Sequence, residues 1–138
     1  MKELNLIDKA FLLKKTSLFG SLDLDLLLTI ADKLDIMVYS KEEPVFSIQQ
    51  DANQMYLIAE GQVLIECNHK KTTLIAGEFF GDESVFNEKA RAYSAKSVTQ
   101  AILLTLSRNH LLGIIAECPS VAVALLEAYS ANIDFRSR

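Results

Sequence analysis

Apolar positions along the chain follow two different periods. After Ser21, Leu24, Leu27, Leu28, Ala31 and Leu34 recur at helical spacing. Ser21 is read as the cap of that helix, with Asp23 and Asp25 in a first turn where carboxylates favour the macrodipole. An earlier segment, residues 4–14, is also read as helical, with less regular spacing. The period then shortens. Residues 38–48 are broken by Pro44, which confines that part to an edge or a strand start. The runs at 55–58, 62–65 and 72–75 are short and β-prone, separated by turn-like segments at 50–53, 60–61 and 68–70. Residues 93–98 and 101–106 are read as a further strand pair around Thr99-Gln100. Helical spacing returns after Ser107: a short helix carries Leu111, Leu112, Ile114 and Ile115, and a longer one runs from Ser120 to about Ile133, with Pro119 in its first turn. Val121, Val123, Leu125, Leu126, Ala128 and Tyr129 leave that last helix apolar on more than one side.

Six to eight short strands flanked by helices predict a mainly β fold: an eight-stranded antiparallel β-roll or jelly-roll barrel with N-terminal helices and two C-terminal helices. Residues 1–36, 37–106 and 107–138 are its helical, β and helical parts, in one domain spanning 1–138. At 138 residues the chain is long enough for a usable core, and half of it is hydrophobic, so a disordered chain is not expected.

A net charge of −4 argues against a nucleic-acid surface, which needs clustered Lys and Arg; the compact basic cluster His69-Lys70-Lys71 reads as a solvated hairpin turn. Charged residues interrupt the N-terminal segment and no apolar run approaches the length of a membrane helix, so a soluble, cytoplasmic protein is expected, with no membrane partner. Cys67 and Cys118 lie outside any CxxC pattern, and the two histidines are far apart in sequence. No metal or other cofactor is expected, and both thiols are read as buried and reduced. No Ser/His/Asp or Cys/His set is identifiable, so the chain is not read as an enzyme.

The segment Gly77-Glu78-Phe79-Phe80-Gly81-Asp82, followed nine residues after the aspartate by Arg91, holds the candidate chemistry. It places free backbone N–H groups, carboxylates and a guanidinium in one short stretch, a combination that suits a small anion also bearing hydroxyls. Arg91 can meet a phosphate through charge-assisted hydrogen bonds. Residues 83–86 are expected to begin as a helical turn, and Gly81 lets the backbone approach closely.

In order and motif the chain resembles the cyclic-nucleotide-binding domain of protein kinase regulatory subunits, gated channels and catabolite-activator-type regulators. Leu18-Phe19-x-x-Leu22, Val45-Phe46, Tyr56-Leu57-Ile58-x-x-Gly61 and the run from Gly77 to Asp82 match that family's positions in register. Its phosphate-binding cassette, Phe-Gly-Glu-x-Ala-Leu then Pro-Arg-x-Ala, stands here as Phe80-Gly81-Asp82-Glu83-Ser84-Val85, then Ala90-Arg91-Ala92-Tyr93, within residues 77–94. The resemblance implies a ligand site of Gly81, Asp82, Glu83, Ser84, Arg91 and Ala92. The amides of Ser84 and Ala92 would reach phosphate oxygens, and an acidic side chain would accept the ribose 2′-hydroxyl. Asp82 is one methylene shorter than the family's glutamate, so the backbone compensates, a water bridges the gap, or Glu83 takes over. Ala92 lacks the hydroxyl that favours guanine in the family, so the ligand implied is cAMP over cGMP. Tyr129, Phe135 and, less so, Tyr93 are candidate covers for the base. Glu42, Gln49 and Ala52 replace family glycines, and their turns are expected to take different backbone geometry.

A regulatory module of this kind signals through its C-terminal helix. With 138 residues leaving no room for an effector, the reader is expected to be a partner protein or a second copy meeting that helix. The alternative is a degenerate fold of the same family, acting as a ligand-independent interaction or dimerisation module.

Overall fold

The computed structural model describes residues 4–132. It comprises two compact units: one spans residues 34–109, and the other combines the flanking segments up to 33 and from 110.

In the flanking unit, α1 (Leu6–Lys14) starts at a capping box, in which Asn5 accepts from the Asp8 N–H and Asp8 accepts from the Asn5 N–H. The second helix, α2 (Leu24–Ala31), is capped by Asp23, whose carboxylate accepts the Leu26 N–H at 3.0 Å. The cap is therefore Asp23, two residues later than the expected Ser21, because a carboxylate three residues before a free N–H reaches it directly. The helix also stops short of Leu34, and Leu24 is exposed.

The central unit holds β1 (Asp35–Tyr39), β2 (Pro44–Phe46), β3 (Gln54–Glu60), β4 (Val63–Cys67), β5 (Lys70–Leu74), β6 (Phe79–Phe80), α3 (Asp82–Asn87), β7 (Ser94–Ser97) and β8 (Ala101–Ser107). Its strands form two four-stranded sheets, ordered β1-β8-β3-β6 and β2-β7-β4-β5, in which all pairings are antiparallel. The mainly β fold with flanking helices is the one the sequence predicts. Pro44 opens β2, an edge strand, where a missing N–H costs no ladder bond.

Connectivity departs from expectation in one place. β7 and β8 do not pair with each other: β7 lies between β2 and β4, and β8 between β1 and β3. The short link through Thr99-Gln100 carries the chain from one sheet to the other. By contrast β4 and β5 form a true hairpin around Asn68 and His69, both with positive φ, the geometry that matches strand twist in a two-residue turn. Lys70 and Lys71 thus belong to a strand instead of the turn. The core draws on both sheets: Tyr39, Phe46, Tyr56, Ile58, Val63, Leu74, Phe80, Ala95, Ala101 and Leu103 form one buried cluster.

Two turns keep the conformation that glycine would favour although they lack it. Glu42 has φ 64° and Gln49 φ 71°, whereas Ala52 is not among the residues with positive φ. The Glu42 turn is pinned where its N–H donates to the Ser97 carbonyl at 2.9 Å. Left-handed backbone costs an L-residue about 1–2 kcal/mol, and glycine returns part of that gain as unfolded-state entropy. Gln49→Gly is therefore expected to stabilise the protein by about 0.5–1 kcal/mol, seen as a rise in Tm of about 2–5 °C in thermal denaturation. Glu42→Gly should gain less, because it also loses the exposed ion pair with Lys96 at 3.3 Å.

The C-terminal helices are α4 (Arg108–Glu117) and α5 (Ser120–Asn132). Pro119 accepts from the Ala122 and Val123 N–H groups and so starts α5 from just outside it. Val121, Ala124 and Leu125 are buried, while Val123 and Leu126 are exposed. Cys67 and Cys118 are both half-exposed free thiols, not buried ones, because one ends a strand at a hairpin and the other precedes Pro119 in an interhelical link. Among the described residues no single helix is long and apolar enough to cross a membrane.

Candidate functional site

Strand β6 pairs Phe80 with Tyr56 of β3 and delivers the chain to Gly81, whose φ of 75° turns it into α3. Asp82 is the first helical residue and half-buried, Glu83 the second and solvent-exposed, and Ser84 is buried. The far end of α3 is tied down by Arg108. Its guanidinium donates to the Val85 carbonyl and pairs with Glu88 at 2.8 Å, and its N–H donates to Asn53 at 2.7 Å. No periodicity in the sequence marks Arg108 for this role.

After α3 the chain returns through Arg91, whose backbone is clamped by the Gln49 turn. The Gln49 N–H donates to the Arg91 carbonyl at 2.7 Å, and the Arg91 N–H donates to Gln50 at 2.9 Å. The Arg91 side chain is only 3% exposed. Nη1 donates to the Gly81 carbonyl at 2.7 Å and Nη2 to the Gln54 carbonyl at 2.6 Å. Cζ lies 4.1 Å from the centre of the Phe46 ring and 5.6 Å from that of Tyr56. Those rings and Phe80 pack together, Tyr56 and Phe80 stacking at 5.0 Å. The cation is thus placed over π-faces and between carbonyl dipoles, which offset part of its desolvation. Burial still pushes the guanidinium below its usual pKa, opposed by Tyr56, Tyr93 and Glu83. Its Nε is the one buried side-chain polar atom without a hydrogen-bond partner among the described residues. A buried cationic N–H without a partner is rare in folded proteins and calls for an explanation.

Beside it, the Gly81 N–H donates to the Tyr93 hydroxyl at 2.7 Å, and that hydroxyl donates to Glu83 Oε1 at 2.9 Å. Burial, then the nearby Glu83 charge, raises the Tyr93 pKa, so the phenol remains protonated and able to donate at neutral pH. Glu83 is itself pushed up by burial and then by Asp82, against the lowering effect of Tyr93 and Arg91; contact with solvent tempers the shift.

Tyr93 also packs on Phe46 at 5.6 Å and lines an open pocket of about 380 Å³ with Ile65, Glu66, Cys67, Asn68, Lys70 and Thr72. Cross-strand pairing sets Ile65 opposite Thr72 and Cys67 opposite Lys70, so these four share one face of the hairpin.

The structure therefore brings Arg91 onto Gly81, and Glu83 towards Gly81 through Tyr93. Ala92 is exposed next to Arg91. Of the residues nominated to cover a base, Tyr129 lies half-buried on α5, Phe135 falls outside the described residues, and Tyr93 stands at the site itself. Phe46 and the Gln54 carbonyl escape sequence reading as site components. Among the described residues no cluster of three or more His, Cys, Asp or Glu side chains is arranged to hold a metal ion.

Residues 36–118 match the model of the cyclic nucleotide-binding domain. The cAMP-dependent protein kinase regulatory subunit of Schizosaccharomyces pombe is 32% identical over 107 residues, covering 74% of this chain and 26% of that protein. The cyclic nucleotide-gated channel rod photoreceptor subunit alpha of Gallus gallus is 28% identical over 130 residues, covering 88% of this chain and 20% of that protein. Among solved structures, the catabolite activator protein of Thermus thermophilus superposes with a TM-score of 0.74 at 26% identity, covering 86% of this chain and 58% of that one. The chain spans about a quarter or less of the length of the curated relatives it matches. With the family model matching well over half of its residues, the chain belongs to the cyclic nucleotide-binding domain family.

Proposed function

We propose that the chain is a regulatory module that binds a cyclic nucleotide, cAMP in preference to cGMP, and passes the binding event through α5 to a partner protein or a second copy. One observation carries the reading: the buried Arg91 guanidinium, fixed by two backbone carbonyls and two aromatic rings, retains an unsatisfied Nε donor. A cyclic phosphate supplies the acceptor and the negative charge together. The open pocket of about 380 Å³ that Tyr93 shares with the β4–β5 hairpin falls in the usual range for small-molecule sites, about 300–1,000 Å³, and supports a sugar and base lying on that side of the cassette. Ala92, adjacent to the arginine, offers no side-chain hydroxyl to a guanine. Exposed Val123 and Leu126 supply an apolar surface on α5 for the reader of the signal.

Calorimetric titration with cAMP and cGMP, coupled to sedimentation of the free and saturated protein, tests this. The expected result is saturable binding, tighter for cAMP, with a ligand-dependent change in self-association or in partner binding. Absence of heat and of thermal stabilisation at millimolar concentrations of either nucleotide would exclude the reading and leave the ligand-independent interaction module.

A further inference from the structure

Three polar groups at the edge of the site form a chain of hydrogen bonds that a bound ligand would have to interrupt. The Tyr93 hydroxyl accepts from the Gly81 N–H at 2.7 Å and donates to Glu83, 2.9 Å from Oε1 and 3.3 Å from Oε2. A hydroxyl that accepts from an amide and donates to a carboxylate uses both of its functions. A secondary sugar hydroxyl has the same two functions and the same requirements. We propose that Tyr93 holds the place of a ligand hydroxyl, and that the Gly81 N–H with the Glu83 carboxylate is the pair that recognises it. The proposal rests on the cyclic-nucleotide reading and goes beyond it on two points. It assigns hydroxyl recognition to Glu83 and not to Asp82, and it makes Tyr93 an internal competitor that lowers affinity for the ligand.

The geometry supports both points. Glu83 has the longer side chain, and its carboxylate already engages a hydroxyl held by the cassette backbone. Gly81 also accepts from Arg91 through its carbonyl, so the hydroxyl and the guanidinium are bridged by a single residue. A ligand with an anionic group for Arg91 and a hydroxyl a few ångströms away would span the same two positions. Tyr93 is half-exposed and borders the open pocket, so its ring can give way without dismantling either sheet.

The test uses cAMP and 2′-deoxy-cAMP as calorimetric ligands on the wild-type protein, Tyr93→Phe, Tyr93→Phe/Glu83→Ala and Tyr93→Phe/Asp82→Asn. Tyr93→Phe keeps the ring against Phe46 and removes only the competing hydroxyl. It is expected to tighten cAMP binding about tenfold, the worth of a hydrogen bond to a charged group, with a smaller gain for the deoxy ligand. Adding Glu83→Ala should erase the preference for cAMP over its deoxy analogue. Adding Asp82→Asn should leave that ratio intact, whatever it does to overall affinity. Binding first detected in Tyr93→Phe, with a silent wild-type protein, supports the proposal as well. A preference that disappears with Asp82→Asn and survives Glu83→Ala overturns it, as does unchanged or weaker cAMP binding in Tyr93→Phe; in both cases the cyclic-nucleotide reading stands. Silence of every variant towards both ligands overturns the two together.

Discussion

Arg91→Ala is expected to weaken cyclic-nucleotide binding by at least about a hundredfold and, with no ligand present, to destabilise the fold by about 2–3 kcal/mol. The two effects have separate origins. Affinity falls because the cation that compensates the desolvated phosphate is gone. Stability falls because Gly81 and Gln54 lose the donors that satisfy their carbonyls, and because a side chain only 3% exposed leaves a gap against Phe46 and Tyr56. Removing a costly buried charge returns part of this, which keeps the loss below that of a large apolar core truncation. Thermal denaturation should show a drop in Tm of about 6–15 °C for a chain of this size, and calorimetry the loss of binding. Arg91→Lys separates the contributions. An ammonium keeps the charge but cannot reach two divergent carbonyls in a planar fork while still offering Nε. It should recover part of the stability and leave affinity about ten- to a hundredfold down. Undiminished binding by a folded Arg91→Ala protein would remove the phosphate from this position.

How much of this was legible beforehand depends on the range of the signal. The grouping of Gly81 with Arg91 was readable because both stand at a fixed spacing in one segment, and the structure brings the guanidinium back onto the Gly81 carbonyl. The β4–β5 hairpin was readable because its turn lies between two β-prone runs. The link through Thr99 and Gln100 was equally short, yet it joins different sheets: turn length constrains the path of the chain but not which strand supplies the hydrogen bonds. Glu42 and Gln49 misled in the opposite direction. Their side chains argued against a left-handed turn, but the Glu42 N–H bond to the Ser97 carbonyl and the Gln49 N–H bond to the Arg91 carbonyl hold the two turns in place. The partners of Arg91 were invisible for a simpler reason. Main-chain carbonyls carry no residue signature, so Gln54 entered the site by the position of its backbone. Tyr93 was named in the sequence only as a cover for the base, whereas its hydroxyl reaches back twelve residues to the Gly81 N–H.

Gly81→Ala should produce the second large effect, and Gly77→Ala shows why. Both glycines have positive φ, 75° and 94°, so each substitution incurs a conformational cost of about 1 kcal/mol. Their surroundings differ. A Cβ on Gly77 would meet nothing within 4 Å, whereas one on Gly81 would lie 2.7 Å from Arg91 Nη1 and 3.2 Å from Tyr56 Cδ1. The guanidinium cannot yield to that methyl group without leaving the Gly81 carbonyl, and Tyr56 is held in its stack with Phe80. Gly77→Ala is accordingly expected to lower stability by about 1 kcal/mol with nucleotide affinity little altered. Gly81→Ala should lower stability by about 2–3 kcal/mol and affinity by more than about tenfold. Parallel melting curves and titrations on the two variants measure the difference, which isolates the contact with Arg91 from backbone strain. Equal losses in both would mean that strain alone accounts for the effect and that the close approach of Gly81 to Arg91 contributes nothing to binding.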